Sequence, residues 1–280
     1  MNKKIYIGYN EQPTGRLGNV LLQYLFLREL ADKYNCCFFY PELQGSKYFN
    51  ELGETVNYHT VKKNFFYRKC FCYQDILKSG LEQFALTIQR TSKTIVLKPP
   101  ILGFTFDALY TDPNNYLSIK EEYKNAYFCY ENRFVVALHF RGTDFSSWDP
   151  NACLDCDYYI NAIEYCINKF RGENLYFSLF TDDLTIDSYK NVVNYLKEFK
   201  YDFNEGNPKR CLGEECYNIS ISDVVISSPS TFAIASSLIG KQKRIIHSKK
   251  WCDYCVDKHD RVWTEMVKNK NRYYVLECLI

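Results

Sequence analysis

One segment constrains the fold of this 280-residue chain more than any other: an apolar run that ends in a polar cluster. The run Phe134–Phe140 has the length of a strand and the composition of a strand buried on both faces. The cluster His139–Asp144 continues directly from it. In open α/β sheets ligands bind outside the carboxyl ends of strands. The segment therefore predicts a buried strand with a ligand site at its end.

The same arrangement of apolar strands followed by amphipathic helices recurs along the chain. Strands are predicted over Ile5–Gly8, Cys36–Tyr40, Phe134–Phe140, Leu175–Phe180, Asp223–Ile226 and Arg244–Ile246. Helices are predicted over Val20–Tyr34, Asp75–Gln89, Asp157–Phe170, Thr185–Phe199 and Thr231–Ile239. This alternation is typical of an α/β fold. We expect two domains, residues 1–130 and residues 131–280.

Composition and charge narrow the class of protein. Apolar residues make up 46% and charged residues 24%, which is typical of a globular domain. The net charge of +2 gives no indication of a nucleic acid or a membrane surface as partner. Met1–Lys4 are not followed by the apolar core of a signal peptide, and no stretch is long enough to span a membrane. These features predict a cytoplasmic protein.

Thirteen cysteines are the unusual element of the composition. An odd number without a signal peptide fits reduced thiols better than a disulfide framework. Cys153/Cys156 and Cys252/Cys255 form two Cys-x-x-Cys pairs, and His259 follows the second. The pairs lie too far apart along the chain for a compact zinc motif. Reduced cysteines are therefore favoured, and a zinc-stabilised interaction domain is the alternative.

Gly15–Asn19, with the sequence Gly-Arg-Leu-Gly-Asn, lies between the first predicted strand and the first long helix. Its two glycines permit a tight turn and the close approach of a ligand, and Arg16 and Asn19 add a cation and an amide. The alternative is a plain turn in which Asn19 caps the helix. The segment matches neither the dinucleotide-binding fingerprint nor a Walker-type phosphate loop.

His139 and Arg141 are two residues apart on a strand and therefore point to the same face. An arginine at this place suits a diphosphate, because its planar guanidinium donates paired hydrogen bonds and keeps its charge. The alternative is a structural ion pair between Arg141 and Asp144 beside a histidine that only fills the core.

Ser227–Phe232 leads from a predicted strand into a helix. The N-terminus of a helix presents free backbone N–H groups and a partial positive charge, which together bind phosphate groups. The hydroxyl groups here can contact such a ligand or only cap the helix.

Taken together, these blocks resemble the fucosyltransferases of the α1,2/α1,6/protein-O superfamily, most closely the bacterial-type α1,2-fucosyltransferase family. The matching blocks are Gly15–Asn19, Val136–Asp144, Asp157–Tyr159, Phe180–Asp183 and Ser230–Phe232. The resemblance implies a GT-B fold with two Rossmann-like domains facing across a cleft. It also implies inverting transfer of fucose from GDP-fucose, bound mainly by the C-terminal domain, to a glycan acceptor without a metal or other cofactor.

The resemblance assigns roles to residues on both sides of the expected cleft. Arg141 would hold the β-phosphate, His139 would contact the ribose or guanine side of the nucleotide, and Glu215 would read guanine. The diphosphate would be lined by Ser228, Ser230, Thr231 and Phe232. Contacts to fucose or the acceptor would come from Arg16 and Asn19 of the N-terminal, acceptor-side domain.

Two positions depart from the family pattern. Gly142 stands where the family usually has a second arginine, so charge on the leaving diphosphate would rest on Arg141, with help from the helix end and Arg16. Ala233–Ala235 stand where the α1,2 family has an aromatic pair.

The catalytic base has two candidates, and the reaction class has alternatives. Asp149 lies where related α1,6 enzymes carry an acidic residue in this capacity, and Asp144 is the second candidate, although it is also suited to orienting Arg141. A metal-dependent GT-A transferase would use Asp155 and Asp157, although a position before a helix explains them as caps. A non-catalytic glycan- or nucleotide-binding protein is the other alternative. The sequence carries no signal for the acceptor or the oligomeric state.

Overall fold

The computed structural model of the chain describes residues 5–13, 15–57, 59, 61, 68–91, 93–100, 115–127, 131–142, 144–240, 244–258, 261–268 and 275–279. The chain divides into two compact units, Met1–Ser118 and Ile119–Ile280. This division falls before the predicted boundary at residue 130. Over the described ranges, no helix combines the length and the apolar character that crossing a membrane requires.

The N-terminal unit contains a parallel five-stranded sheet. Its strands are β1 (Tyr6–Tyr9), β2 (Cys37–Tyr40), β4 (Val56–Asn57), β5 (Arg68–Phe71) and β6 (Thr94–Leu97). They lie in the order β4-β2-β1-β6-β5, and β3 (Phe49–Glu51) pairs separately with β7 (Leu117–Ile119). Every neighbouring pair in the five-stranded sheet is parallel. β2 and β4 lie on one side of β1, and the later strands β5 and β6 lie on the other side. The loop after β1 is therefore at a topological switch point.

Helix α1 (Leu17–Lys33) follows that loop and is buried along almost its whole length. It begins at Leu17, three residues before the predicted start, with Arg16 at the N-cap position. Asn19 is therefore the third residue of the helix, and the expectation that it caps the helix is wrong. Gly15 has a φ of 113°, and a Cβ there would lie 2.8 Å from the Asn19 Nδ2, so this turn requires glycine.

A single helix predicted over Asp75–Gln89 is two helices in the structure, α2 (Tyr73–Ser79) and α3 (Leu81–Arg90). Gly80, with a φ of 78°, separates them. A left-handed residue ends the first helix and lets the second start in a new direction.

The C-terminal unit contains a parallel six-stranded sheet. Its strands are β8 (Phe134–Phe140), β9 (Leu175–Thr181), β10 (Phe203–Asn204), β11 (Val224–Ser227), β12 (Arg244–His247) and β13 (Val275–Leu279). They lie in the order β10-β9-β8-β11-β12-β13. Counted within this unit, that order is 3-2-1-4-5-6, the order of a Rossmann sheet. The switch point lies between β8 and β11.

Helices cover both faces of this sheet. They are α4 (Phe145–Trp148), α5 (Cys156–Lys169), α6 (Asp187–Glu198), α7 (Leu212–Ser220), α8 (Thr231–Leu238), α9 (Lys249–Asp257) and α10 (Arg261–Lys268). Val136, Leu138 and Phe140 pack against α5 and α6, whereas Ala137 packs with Ile219 of α7 on the other face. The predicted alternation along β8 is confirmed, and it directs His139 toward α8.

The hydroxyl group of Tyr158, on α5, binds the backbone of β11 and β12 near their carboxyl ends. Its hydroxyl donates to the carbonyl oxygen of Ser227 at 2.9 Å and lies 3.1 Å from that of Ile246. The adjacent Tyr159 donates to the carbonyl oxygen of His139 at 3.2 Å. These bonds tie α5 to the carboxyl edge of the sheet and hold that edge in one geometry.

Replacing Tyr158 by phenylalanine removes a buried hydroxyl and leaves its carbonyl partners without this donor. We expect Tyr158→Phe to lower the free energy of unfolding by about 1–3 kcal/mol, measured as a lower Tm. Tyr165→Phe is the matched control on the same helix, because the Tyr165 hydroxyl accepts a hydrogen bond from the Lys169 side chain at the surface, at 2.9 Å. Equal Tm values for the two variants would contradict the assignment.

Candidate active site

The switch point of the C-terminal sheet brings two of the predicted motifs together. His139, the residue before the last one of β8, lies beside Ser227 of β11, which is its register partner. The His139 Nδ1 lies 2.8 Å from the Ser228 Oγ, and the Ser228 N–H donates to the His139 carbonyl oxygen at 3.1 Å. The crevice outside this pair is the place where Rossmann sheets bind their ligands.

Arg141 is held between two carboxylates just beyond the end of β8. Its Nε donates to the Asp144 Oδ1 at 3.0 Å, and its Nη2 lies 2.9 Å from the same oxygen. Its Nη1 lies 3.1 Å from the Asp182 Oδ2, and the other Asp182 oxygen accepts from the Gly142 N–H at 2.9 Å. The guanidinium also lies 5.6 Å from the centre of the Phe145 ring. The expected pairing of Arg141 with Asp144 is confirmed, and Asp182 adds a second anchor.

Gly142 lies close to the side chains of Ile186 and Asp183. A Cβ at this position would lie 3.1 Å from the Ile186 Cγ2 and 3.3 Å from the Asp183 Cβ. These distances are shorter than ordinary van der Waals contact, so a larger residue needs Ile186 to move. Thr143 of the same predicted motif lies outside the described residues.

His139 is a neutral side chain in this site. It is buried, and burial lowers its pKa to about 4, against the opposing effect of Asp182. Its Nδ1 is engaged by Ser228. The imidazole therefore connects β8 to β11 without adding charge, and its contact with the nucleotide stays a prediction.

The N-terminus of α8 lies at the same edge. Ser230 occupies the N-cap position, but its side chain makes no capping hydrogen bond. Capping is therefore not the reason for a hydroxyl at this place. Thr231 and Phe232 form the first turn, and the Phe232 ring centre lies 6.2 Å from that of His139. The helix end thus faces the switch point, as an anion site requires.

Glu215 approaches the site from the first turn of α7. Burial raises its pKa to about 7, and Arg210 opposes that effect, as does Arg141 more weakly, while Asp182 reinforces it. A carboxyl group with a raised pKa among charged partners is characteristic of a functional site. The structure thus brings Glu215 into the electrostatic neighbourhood of Arg141, and its contact with guanine stays a prediction.

Arg210 is a second cation that the sequence did not reveal. It lies in the loop before α7, and its guanidinium lies 4.1 Å from the centre of the Tyr127 ring. Its Nη2 donates to the Glu205 carbonyl oxygen at 3.1 Å and its Nη1 to that of Leu179 at 3.4 Å. No recognisable motif surrounds it, so its place beside Glu215 is visible only in the folded chain.

Asp149 is hydrogen-bonded to a different set of residues from Arg141. Its Oδ2 accepts from the Tyr254 hydroxyl at 2.7 Å, and its Oδ1 accepts from the Asn151 backbone and side chain, both at 3.0 Å. The Tyr254 hydrogen bond, followed by that from the Asn151 backbone, lowers its pKa. Asp149 is therefore ionised at neutral pH and is a weak base, and its catalytic role stays a prediction.

Asp155, one of the residues considered for metal binding, has a structural role. Asp155 is the N-cap of α5 and accepts from the Tyr158 N–H at 3.1 Å, as expected of a cap. The cysteines of both Cys-x-x-Cys pairs are thiols that form no disulfide. Within the described ranges no group of three or more metal-binding side chains comes together, and His259 lies outside those ranges.

Arg16 and Asn19 belong to the N-terminal unit. They follow β1 at the switch point of their own sheet, where Arg16 is exposed and Asn19 is half-buried in the first turn of α1. Their predicted contact with fucose or the acceptor stays a prediction.

The titration of Glu215 gives a test of the geometry around it. Between pH 4.5, its ordinary pKa, and about pH 7, Glu215 holds a proton in the folded protein and has lost it in the unfolded chain. This group therefore lowers stability as the pH rises through that window. We expect Glu215→Gln to raise Tm relative to the wild type increasingly between about pH 5 and pH 8. Glu198→Gln, at an exposed position on α6, is the control, and parallel pH curves for both variants would contradict the prediction.

Comparisons with known proteins address the fold. No protein-family model matches the chain, and no curated protein matches it. Solved structures do: POFUT1 in complex with GDP-fucose has a TM-score of 0.54 and 10% identity over 86% of this chain and 96% of its own. POFUT1 in complex with GDP has a TM-score of 0.53 and 9% identity over 86% of this chain and 96% of its own.

E. coli ADP-heptose LPS heptosyltransferase II has a TM-score of 0.42 and 10% identity over 87% of this chain and 84% of its own. At such low identity these matches describe architecture, and the POFUT1 structures carry the comparison. Two units with parallel sheets, the second in Rossmann order, agree with it. The chain has the α/β fold of the GT-B glycosyltransferases, as predicted.

Proposed function

We propose that this protein is an inverting glycosyltransferase that transfers fucose from GDP-fucose to a hydroxyl group of a glycan. The observation that carries the proposal is Arg141, fixed between Asp144 and Asp182 at the switch point of a Rossmann sheet. The GT-B fold and its likeness to POFUT1 in complex with GDP-fucose support the donor class. The sequence motifs favour the bacterial-type α1,2 family within it.

Arg141 has the hydrogen-bonding capacity that a leaving diphosphate needs. A guanidinium carries five N–H groups, and its contacts with Asp144 and Asp182 engage at most three. The remaining groups are free to donate to the β-phosphate as charge develops on it. The two carboxylates keep the cation in position before the donor arrives, so little reorganisation is needed during transfer.

Glu215 and Arg210 supply nucleotide recognition and additional charge. Guanine presents two adjacent N–H donors on its Watson–Crick edge, and an ionised carboxylate accepts both. Uracil and cytosine lack this pair of donors, so Glu215 favours GDP. Arg210 lowers the pKa of Glu215 and so opposes the effect of burial. It also supplies positive charge to the site, where Gly142 has no side chain that could do so.

Transfer requires the acceptor hydroxyl to lose its proton as its oxygen attacks the anomeric carbon and the bond to GDP breaks. Asp144 is bound to Arg141, which leaves Asp149 as the preferred base. Its hydrogen bond with Tyr254 would weaken as the proton arrives. Ser228, Ser230, Thr231 and Phe232 would line the diphosphate, and His139 would contact the ribose or guanine side.

We also propose that catalysis requires no metal and that the protein acts in the cytoplasm. The alternative, a GT-A-type enzyme using Asp155 and Asp157 with another nucleotide sugar, predicts that EDTA abolishes turnover and manganese restores it. Under the proposal EDTA leaves turnover unchanged. The capping role of Asp155 favours the proposal.

Donor identity is tested by thermal unfolding with GDP, UDP, CDP and their sugars. We expect GDP and GDP-fucose alone to raise Tm, with about 2.7 kcal/mol of stabilisation at about 100 times the dissociation constant. The physical reason is the carboxylate of Glu215, which only guanine satisfies. Stabilisation by UDP in the absence of any effect of GDP would refute the donor assignment.

Loss of the Arg141 guanidinium tests catalysis itself. We expect Arg141→Ala to reduce kcat by about a hundredfold to a thousandfold, because an interaction with the developing charge is lost. Arg133→Ala is the matched control: Arg133 is also ion-paired, to Asp202 at 3.2 Å, and stacks on Tyr176 near the start of the same strand region. Its kcat should stay unchanged. An Arg141→Ala protein that retains glycan binding, with no turnover in the wild type, would indicate the non-catalytic alternative.

A further inference from the structure

All three tryptophans of the chain gather in one cluster of the C-terminal unit. Trp251 lies at its centre, with ring-centre distances of 5.8 Å to Trp148, 6.1 Å to Trp263 and 5.5 Å to Tyr254. Trp251 and Trp263 are buried, whereas Trp148 is 56% exposed. Two buried indoles therefore hold a third one at the surface in a defined orientation.

Polar groups are fixed beside the exposed ring. Asp149 follows Trp148 directly and accepts from the Tyr254 hydroxyl and from the Asn151 side chain. A carboxylate, an amide and a phenol thus lie next to one indole. Each of them is positioned by the others, so this polar edge does not depend on flexible side chains.

The buried ring of Phe145 packs between Trp148 and the Arg141 site. The Phe145 ring centre lies 5.6 Å from the Arg141 guanidinium and 5.3 Å from the centre of the Trp148 ring. The backbone N–H of Trp148 also donates to the Asp144 carbonyl oxygen at 3.0 Å. The exposed indole therefore lies within about one or two sugar rings of the cation.

We propose that Trp148, together with Asp149, Asn151 and Tyr254, forms a subsite for a pyranose ring of the acceptor glycan. The proposal rests on the glycosyltransferase function proposed above and names the place where its acceptor binds. A pyranose has an apolar face of C–H groups and an edge of hydroxyl groups. The indole contacts the face, and the carboxylate and amide bind the edge.

A hollow of about 260 Å³ adjoins this surface and shares Asn151 with it. It is lined by polar residues that include Asp155, Asp157 and Lys250. Its volume is slightly below the roughly 300–1,000 Å³ of pockets for drug-sized ligands, which suits a single sugar ring. A second unit of an acceptor oligosaccharide therefore has a place next to the first.

The proposal is tested on the full chain by saturation-transfer NMR with three disaccharides, lactose, cellobiose and chitobiose. We expect binding at millimolar concentrations, and Trp148→Ala should weaken it about tenfold. Trp148→Phe keeps an aromatic face and should keep part of the binding. In turnover assays Trp148→Ala should raise KM for the acceptor with little change in kcat, which is characteristic of a binding residue.

Phe199→Ala is the matched control. Phe199 is 54% exposed and packs on Tyr195 and Tyr201, with ring-centre distances of 4.7 Å and 6.3 Å. It lies at the end of α6, outside the tryptophan cluster, and its loss should leave disaccharide binding unchanged. Equal effects of Trp148→Ala and Phe199→Ala would overturn the proposal.

Three further results would overturn it. They are the absence of a signal from all three disaccharides with the wild type, loss of the Tm shift with GDP in Trp148→Ala, and a wild-type dimer that Trp148→Ala dissociates. The second would assign the indole to the donor, and the third to a contact between copies. If the donor proposal is wrong, the result is different: GDP does not raise the Tm of the wild type, whereas the wild type still binds disaccharides.

Discussion

The ion pairs of Arg141 with Asp144 and Asp182 are the interaction on which the rest of the C-terminal site depends. Two carboxylates hold one guanidinium at an edge where water is partly excluded. The local charge is negative without a ligand, so an anion binds only with the support of other positive groups. The helix end at Ser230 and the side chain of Arg210 are such groups. The proposed binding of the donor would therefore depend on the whole edge rather than on one arginine.

Much of the C-terminal unit follows from its sequence. The run Phe134–Phe140 is apolar on both faces and belongs to a central strand with helices on either side. Every predicted strand of this unit is present within a residue of its predicted bounds. Asp155 is placed correctly as a cap because local hydrogen bonding decides it. The sequence does not predict β10, which has only two residues, or β13, whose short apolar run does not distinguish a strand from a helix.

The remaining parts of the site depend on contacts between distant segments. Arg210 lies beside Glu215 because the chain turns into α7, and Tyr254 meets Asp149 from another helix. Periodicity reports which face of an element is buried, but it does not report which loop covers that face. The early start of α1 has a similar cause. Burial of Leu17 and Gly18 extends the helix past the predicted cap.

The packing around Gly142 links its loop to the one that holds Arg141 in place. A side chain at position 142 requires Ile186 and Asp183 to shift by a few tenths of an ångström. Asp182, next to Asp183 in the chain, accepts from the Gly142 N–H and contacts the Arg141 guanidinium. A substitution at position 142 therefore acts on the position of the guanidinium as well as on the space beside it.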